Sequence, residues 1–436
     1  MISQTKSKPF VALRHRDFRL LWLGQLISQA GTAMQTLAIN WHIAVLTDYN
    51  PLALGLVGLS RVAPIIVFSL IGGATADARD RRQVMIVTQS VMALLAAILG
   101  LITQAGLDSI AAIYVLNALA ASASAFDSPA RQSLIPSLVP REHLTNAMSL
   151  NQIMFQTATI VGPVLAGLLI GASRAETVSS AQNIAVVYWL NALSFLAVIG
   201  ALILMRPGRP TARRKMDVGS VREGFRFVRG QPIIWSTMLL DFFATFFSSA
   251  NQLLPIFAGK ILNVGAQGLG VLSAAPALGA LLAGGVMSLL TRIRRPGKLI
   301  LYSVAAYGVA TLIFGLSSVF WLSWLALALT GTADAVSTIL RATIRQLVTP
   351  DQLRGRMTSI NMIFFMGGPQ LGELEAGVAA ALIGAPLSVV TGGLGCLIAV
   401  AAVAWRVPML RRYDEDDLRR TGERLATETT AVAAGK

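Results

Sequence analysis

Hydrophobic positions in this chain come in long blocks rather than short amphipathic patches. Twelve blocks are each about as long as the roughly 20 residues a helix needs to cross a bilayer. They run over 18–46, 52–77, 84–104, 109–130, 145–173, 183–205, 233–259, 267–290, 299–317, 319–341, 356–384 and 386–407. Polar turns separate them, so the pattern predicts an all-α membrane protein with twelve transmembrane helices. The chain also repeats itself. At an offset of 210 residues Arg131 meets Arg341, Pro140 meets Pro350 and Ser149 meets Ser359. At the same offset Asn151 meets Asn361, Gly162 meets Gly372 and Gly167 meets Gly377. A parallel repeat of half the length, in so apolar a sequence, predicts two six-helix pseudo-symmetric halves.

The expected domains are an N-terminal half at 1–205, a cytoplasmic linker at 206–232, a C-terminal half at 233–410 and a disordered cytoplasmic tail at 411–436. In the linker Val218, Val221, Phe225 and Val228 share one helical face, with Arg222, Arg226 and Arg229 interleaved. That spacing predicts a basic helix lying on the inner membrane surface.

Composition narrows the class. The 436 residues are 54% hydrophobic and 13% charged, about half the charge of a soluble domain. The net charge of +15 raises nucleic acid as a partner, but its placement argues against one. Apart from Arg61, Arg174 and Lys260, the cations fall in segments such as Arg79 to Arg82, Arg131 to Arg141 and Arg341 to Arg356, all assigned to one side of the membrane. That bias puts both termini in the cytoplasm. The first apolar stretch is full length and lacks a small-residue cleavage site, so it reads as an uncleaved helix. Cys396 is the single cysteine, which excludes an internal disulfide. There is no phosphate-binding loop, metal cluster or nucleophile constellation. The chain reads as no enzyme, with no cofactor and no metal, and energy must come from an ion or solute gradient.

Between spans two and three lies Gly73-Ala-Thr-Ala-Asp77-Ala-Arg79-Asp80-Arg81-Arg82. It resembles the signature loop of the major facilitator superfamily, with Asp80 where many members have a second glycine. PREHLTNAMSLN, its partner TPDQLRGRMTSIN, and REGFRFVRGQP resemble the branch of enterobactin exporters and macrolide-efflux drug:proton antiporters, from Phe18 to about Arg406. The resemblance implies a monomeric inner-membrane transporter of major facilitator fold in a bacterium, touching substrate, protons and lipids. It implies export of a small amphipathic drug, siderophore or similar metabolite by alternating access in exchange for protons. An uncoupled facilitator or importer, and a non-transporting sensor or assembly subunit, are the alternatives.

The resemblance further implies a gating latch of Gly73, Asp77, Arg81, Arg82, Asp127, Gly355 and Arg356. Asp77 would meet the start of span eleven in the outward-open state, since a carboxylate there is worth a few tenths to about 2 kcal/mol. Asp127 is expected to pair with Arg81. On the other reading the arginines only enforce topology. The turn from Gly285 to Lys298 has no aspartate, so the latch belongs to the first half. Gly162, Pro163 and Gly167 resemble the span-five motif of antiporters, with tight packing as the other reading. The arginine that many proton-coupled exporters carry in span four is absent, which leaves the usual proton route in doubt.

Polar residues trace stripes where lipid would penalise them. Span one has Gln25, Gln29, Thr32, Gln35 or Thr36, and Asn40; span five has Gln152, Gln156 and Thr159; span seven has Asp241, Thr245, Ser248 and Gln252. A wet central cavity is one reading, and interhelical hydrogen bonds worth about 0.6 kcal/mol each are the other. Charges within spans are functional candidates: Arg61, Asp241, Asp334, Glu373 and Glu375. Asp241 and Glu373 are the candidate proton carriers, because a carboxyl in a low-dielectric site ionises less readily. Asp334 is placed to bridge to Arg341, and His42 to pack or hydrogen-bond near the outer end of span one. Arg61 and Glu373 lie at like depth, about 25 Å above the cytoplasmic boundary at 1.5 Å per residue. They are expected to pair on facing helices, with snorkelling or carbonyl capping by Arg61 as the alternative.

Overall fold

In the computed structural model the helices start where the sequence supplies caps. Asn50 accepts from the Leu52 and Ala53 amides at 2.9 and 3.3 Å, with Pro51 in the first turn. Ser109 accepts from the Ala112 amide at 3.2 Å. Asp80, the departure from the signature loop, accepts from the Arg82 amide at 2.8 Å and starts the third helix. A side-chain cap of this kind satisfies an otherwise orphaned amide.

The backbone is described for residues 10–172, 178–206, 225–248, 251–290, 293–350 and 353–414. Within these, the side chains of 70, 73, 74, 76, 77, 178–180, 354–356, 359, 362, 363 and 366 are outside the description. Twelve long helices result, with no strand among the described residues. They are α1 (Arg16–Leu46), α2 (Pro51–Ala78), α3 (Arg81–Gln104), α4 (Ile110–Leu134), α5 (Leu144–Ile170) and α6 (Val178–Leu204). The second set is α7 (Pro232–Phe247), α8 (Gly265–Leu289), α9 (Pro296–Leu316), α10 (Phe320–Val348), α11 (Arg354–Ile383) and α12 (Ala385–Arg406). The repeat is visible in the helix bounds. An offset of 210 residues carries the first residues of α4 and α5 onto those of α10 and α11.

Ten candidate spans are long and apolar enough to cross a membrane among the described residues. The helix α1 is not among them, because Gln25, Gln29, Gln35 and Asn40 dilute its apolar content. The side chains of α11 are only partly described.

Contacts divide the chain into two units. One comprises Met1–Lys215 with Ala258–Ala274, the other Met216–Phe257 with Ala275–Lys436. In the first, α1 packs on α5 and α6, α2 on α4, and α3 on α4 and α6. Its core includes Phe18, Leu21, Met85, Leu134, Leu150 and Leu202. In the second, α7 packs on α11 and α12, and α9 on α10 and α12. Ile234, Met238, Ile300, Ile344, Met357 and Cys396 lie in its core.

Three expectations change. The seventh span is not one helix: α7 stops at Phe247, and a 3-10 turn (Asn251–Leu253), a helical turn (Leu254–Ile256) and a π-helical turn (Phe257–Ile261) follow. Pro255 has no amide to give and crowds the preceding turn, and Ser248 keeps a free carbonyl that accepts from the Tyr307 hydroxyl at 3.4 Å. Helices α4 and α10 run past the block ends at 130 and 341, so Arg131 and Arg345 are helical, and Arg341 and Arg345 are 1% and 7% exposed. The chain does not leave the fold at 411 either. Leu410 and Tyr413 are buried, and the Gly297 amide donates to the Tyr413 carbonyl at 3.4 Å. The Leu410 carbonyl lies where a Cβ at position 297 would stand, so only glycine fits. Most of the predicted linker helix, 207–224, and the tail from 415 lie outside the described residues.

Candidate functional site

Helix α10 places Asp334, Arg341 and Arg345 at spacings of seven and four residues, hence on one face. Helix α7 brings Asp241 to the same face. Arg341 Nη2 lies 2.7 Å from Asp241 Oδ1, with side chains 1% and 3% exposed. The approach is not aligned as a hydrogen bond, so the attraction is that of opposite charges. The same nitrogen donates to Thr338 Oγ1 at 2.8 Å and lies 3.7 Å from Asp334 Oδ1. Thr338 Oγ1 in turn donates to Asp334 at 3.4 Å. Burying one charge costs several kcal/mol after relaxation. Two carboxylates and two guanidiniums together form a neutral set that tolerates the interior.

Asp334 is less enclosed than its partners, keeping 48% of its side-chain surface. It lines a cavity of about 210 Å³ beside the break in α7. Thr245, Ser248, Asn251, Tyr307, Thr311 and Thr330 supply polar walls, and Pro276, Phe314, Leu327 and Pro369 apolar ones. Thr245 and Ser248 therefore line a cavity, as the stripe predicted, and it lies inside the second unit. Asp241 stands behind it, 2% exposed. Gln252, also 2% exposed, donates to Glu373 Oε2 at 3.0 Å, so it is a bonded interior residue.

In the first unit the α1 stripe mostly makes hydrogen bonds. Gln35 accepts from Asn191 at 2.7 Å, Gln29 donates to Gln25 at 3.4 Å, and Arg131 donates to Gln25 at 3.5 Å. Thr32 and Thr36 donate to the carbonyls of Ser28 and Thr32. Asn40 is partly buried, with its amide oxygen buried and unpartnered. In α5 Gln152 is exposed and Gln156 half-buried.

The expected Asp127–Arg81 pair is not formed. Asp127 accepts from Thr88 and Gln89 at 3.0 and 2.9 Å and lies 3.7 Å from Arg131, one turn on in α4. Arg81 donates to the Ser133 carbonyl at 2.9 Å, and Arg82 to the Leu202 and Ile203 carbonyls. Both guanidiniums thus cover the unsatisfied carbonyl ends of neighbouring helices. The side chains of Gly73, Asp77, Gly355 and Arg356 lie outside the described residues.

Gly162 and Gly167 do pack closely. A Cβ at 162 would stand 2.7 Å from the Ala30 carbonyl, and one at 167 would stand 2.6 Å from that of Ala266. Pro163 is within α5 and its carbonyl faces Gly270. Arg61 is partly buried in α2, and Glu373 and Glu375 in α11. His42 is more tightly held than sequence reasoning anticipated: Nε2 is 2.6 Å from Asp108 and Nδ1 is 3.1 Å from the Tyr188 hydroxyl. Sequence reasoning also missed the partnership of Arg341 with Asp241. No local spacing signals it, since the repeat sets Ser337 where Asp127 stands beside Arg131.

Comparison with known proteins agrees with this architecture. The family model described as "Transmembrane secretion effector" matches residues 7–433. Enterobactin exporter EntS of Shigella boydii serotype 4 is 28% identical over 405 residues, covering 92% of this chain and 94% of that one. EntS of Escherichia coli O157:H7 is 27% identical over 402 residues with the same coverage. Among solved structures, a bacterial homologue of the human lysosomal transporter Spinster superposes with a TM-score of 0.72 at 15% identity, covering 93% of this chain and 99% of that one. A bacterial homologue of the iron transporter ferroportin gives 0.68 at 18% identity, covering 91% and 99%. With a family model matched almost end to end and twelve helices in a 210-residue repeat, the chain belongs to the transmembrane secretion effector family of major facilitator superfamily transporters.

Proposed function

We propose that the protein exports a small amphipathic compound, of the siderophore or drug type, across a bacterial inner membrane in exchange for protons. Both termini are read as cytoplasmic and the working unit as a monomer. The observation that carries export is the full-length likeness to enterobactin exporters. The geometry adds a carboxylate system suited to ion coupling. Asp241 and Asp334 both stand near one guanidinium, so protonating either carboxylate changes how Arg341 is shared. Asp241 and Glu373 are the carriers to test first.

Alternating access then needs a cytoplasmic gate, for which the Asp77 loop is the candidate, and an outer one. Arg61 and Glu373 are proposed to pair when the outer halves close, with protonation of Glu373 releasing Arg61.

The test uses everted vesicles holding the protein and a pH-sensitive dye, to which a catecholate siderophore is added. Export coupled to protons dissipates an imposed gradient when substrate is present. Asp241→Asn or Glu373→Gln should remove that dissipation or its pH dependence. Siderophore flux without proton movement would replace the antiporter with an uncoupled facilitator. Partial recovery of activity in Arg61→Glu with Glu373→Arg, over each single variant, is the expected mark of the pair.

A further inference from the structure

Four hydroxyls that line the cavity beside the break in α7 have already spent their hydrogen. Thr245, Thr311 and Thr330 each donate their hydroxyl hydrogen to a carbonyl of their own helix, at 2.8, 2.9 and 2.6 Å. Each hydroxyl has one hydrogen, so what these three side chains offer an occupant is lone pairs. Tyr307 likewise directs its hydrogen at the Ser248 carbonyl. Ser248 lines the same space, but its hydroxyl oxygen is buried against the Cys396 sulfur.

The charge has the matching sign. Arg341 stands a full ångström nearer Asp241 than Asp334, at 2.7 against 3.7 Å. Asp334 is therefore the carboxylate that Arg341 engages less closely, and it is the one that faces the cavity. A wall of acceptors around one carboxylate calls for a cationic donor. The aromatic and aliphatic walls call for carbon attached to it, and aromatic rings such as Tyr307 and Phe314 also attract cations.

We propose that this cavity is a binding subsite for the protonated primary amine of an amphipathic organic compound, with Asp334 as its anchor. The proposal rests on the export reading, which it extends by naming a functional group that the second unit recognises.

The experiment uses full-length protein in lipid nanodiscs and titrates dansylcadaverine, a fluorescent primary amine, against its neutral N-acetyl derivative. The amine should bind saturably and the acetylated probe about tenfold or more weakly, the worth of one charge-assisted hydrogen bond. Asp334→Asn should lose the same factor and Asp334→Glu should recover part of it. Thr245→Val and Thr330→Val, which leave the ion pairs in place, should each weaken the amine about two- to fivefold. Equal binding of the two probes overturns the proposal, as does wild-type affinity in Asp334→Asn. If Asp334→Asn does not fold, unchanged amine affinity in both Thr245→Val and Thr330→Val overturns it. Displacement of the amine by sodium but not by choline reassigns the cavity to an inorganic cation and also overturns it. Absence of any proton-linked siderophore flux in the wild-type protein strikes the export reading alone, because the binding titration does not depend on it.

Discussion

Arg131 and Arg341 occupy the same position in the two copies of the repeat, yet they hold different company. Arg131 is 17% exposed and stands 3.7 Å from Asp127 Oδ2, while the other oxygen, Oδ1, accepts from Thr88 and Gln89. Arg341 is 1% exposed and stands 2.7 Å from Asp241, a carboxylate from another helix, with Asp334 next in line. In the first unit the arginine supplements a carboxylate satisfied by neutral donors. In the second it is the principal partner of one carboxylate and a secondary partner of another. The lesson is that a repeat copies the backbone and the cation, while the balance of charge is set by whichever helices each copy packs against.

The largest effect should come from breaking that difference. Arg341→Met leaves Asp241 buried without its cation and is expected to cost about 3–5 kcal/mol, with export lost. Arg131→Met should cost about 1 kcal/mol, because Asp127 keeps Thr88 and Gln89. Thermal unfolding of both variants in detergent checks the ranking, and equal destabilisation would erase the distinction drawn between the two sites.

The turns that precede α3 and α9 carry the comparison to the gate. Asp80 caps α3 through its side chain, whereas Arg295 precedes α9 without such a bond. Only the first turn carries carboxylates. Asp77→Asn should therefore nearly abolish export with membrane insertion intact, and a cysteine placed at 355 should become more reactive to a cytoplasmic thiol reagent. Normal flux in Asp77→Asn removes this loop from the mechanism.

A smaller effect is expected where α5 meets α1. The Cβ of Gly162→Ala would stand 2.7 Å from the Ala30 carbonyl and 2.7 Å from the Ala33 Cβ. Overpacking of this kind costs about 1–3 kcal/mol. Gly284→Ala, in a second-unit helix with open space around the position, should be neutral. The difference in unfolding temperature between the two variants measures how far the glycine is there for packing.

Some contacts were readable in outline. The stripe Asp241, Thr245, Ser248 was visible as a helical face, and two of its members do line a cavity. The pairing of Asp334 with Arg341 was visible from their spacing within one helix. The pairing of Asp241 with Arg341 was not, because it joins residues one hundred positions apart. Arg341 was read only as the partner of Asp334 near the cytoplasmic end of its span, because spacing along one helix says nothing of a carboxylate brought in by another. The break at Ser248 was hidden because Ser, Ala and Asn in an apolar run do not forbid a helix, and only Pro255 hinted at strain.

The sequence alone determined what local chemistry can determine: twelve apolar blocks, a 210-residue repeat and a charge distribution that belongs to a membrane protein. These follow from transfer to lipid and from backbone satisfaction, which act within one segment of chain. The tertiary structure decided which carboxylate each buried arginine serves, that Gln35 is spent on Asn191, and that a cavity opens beside the interrupted seventh span. Those outcomes depend on which helices become neighbours. In a low-dielectric interior a charge or an amide is settled by its nearest partner across a helix–helix contact, which hydrophobic pattern along the chain does not encode.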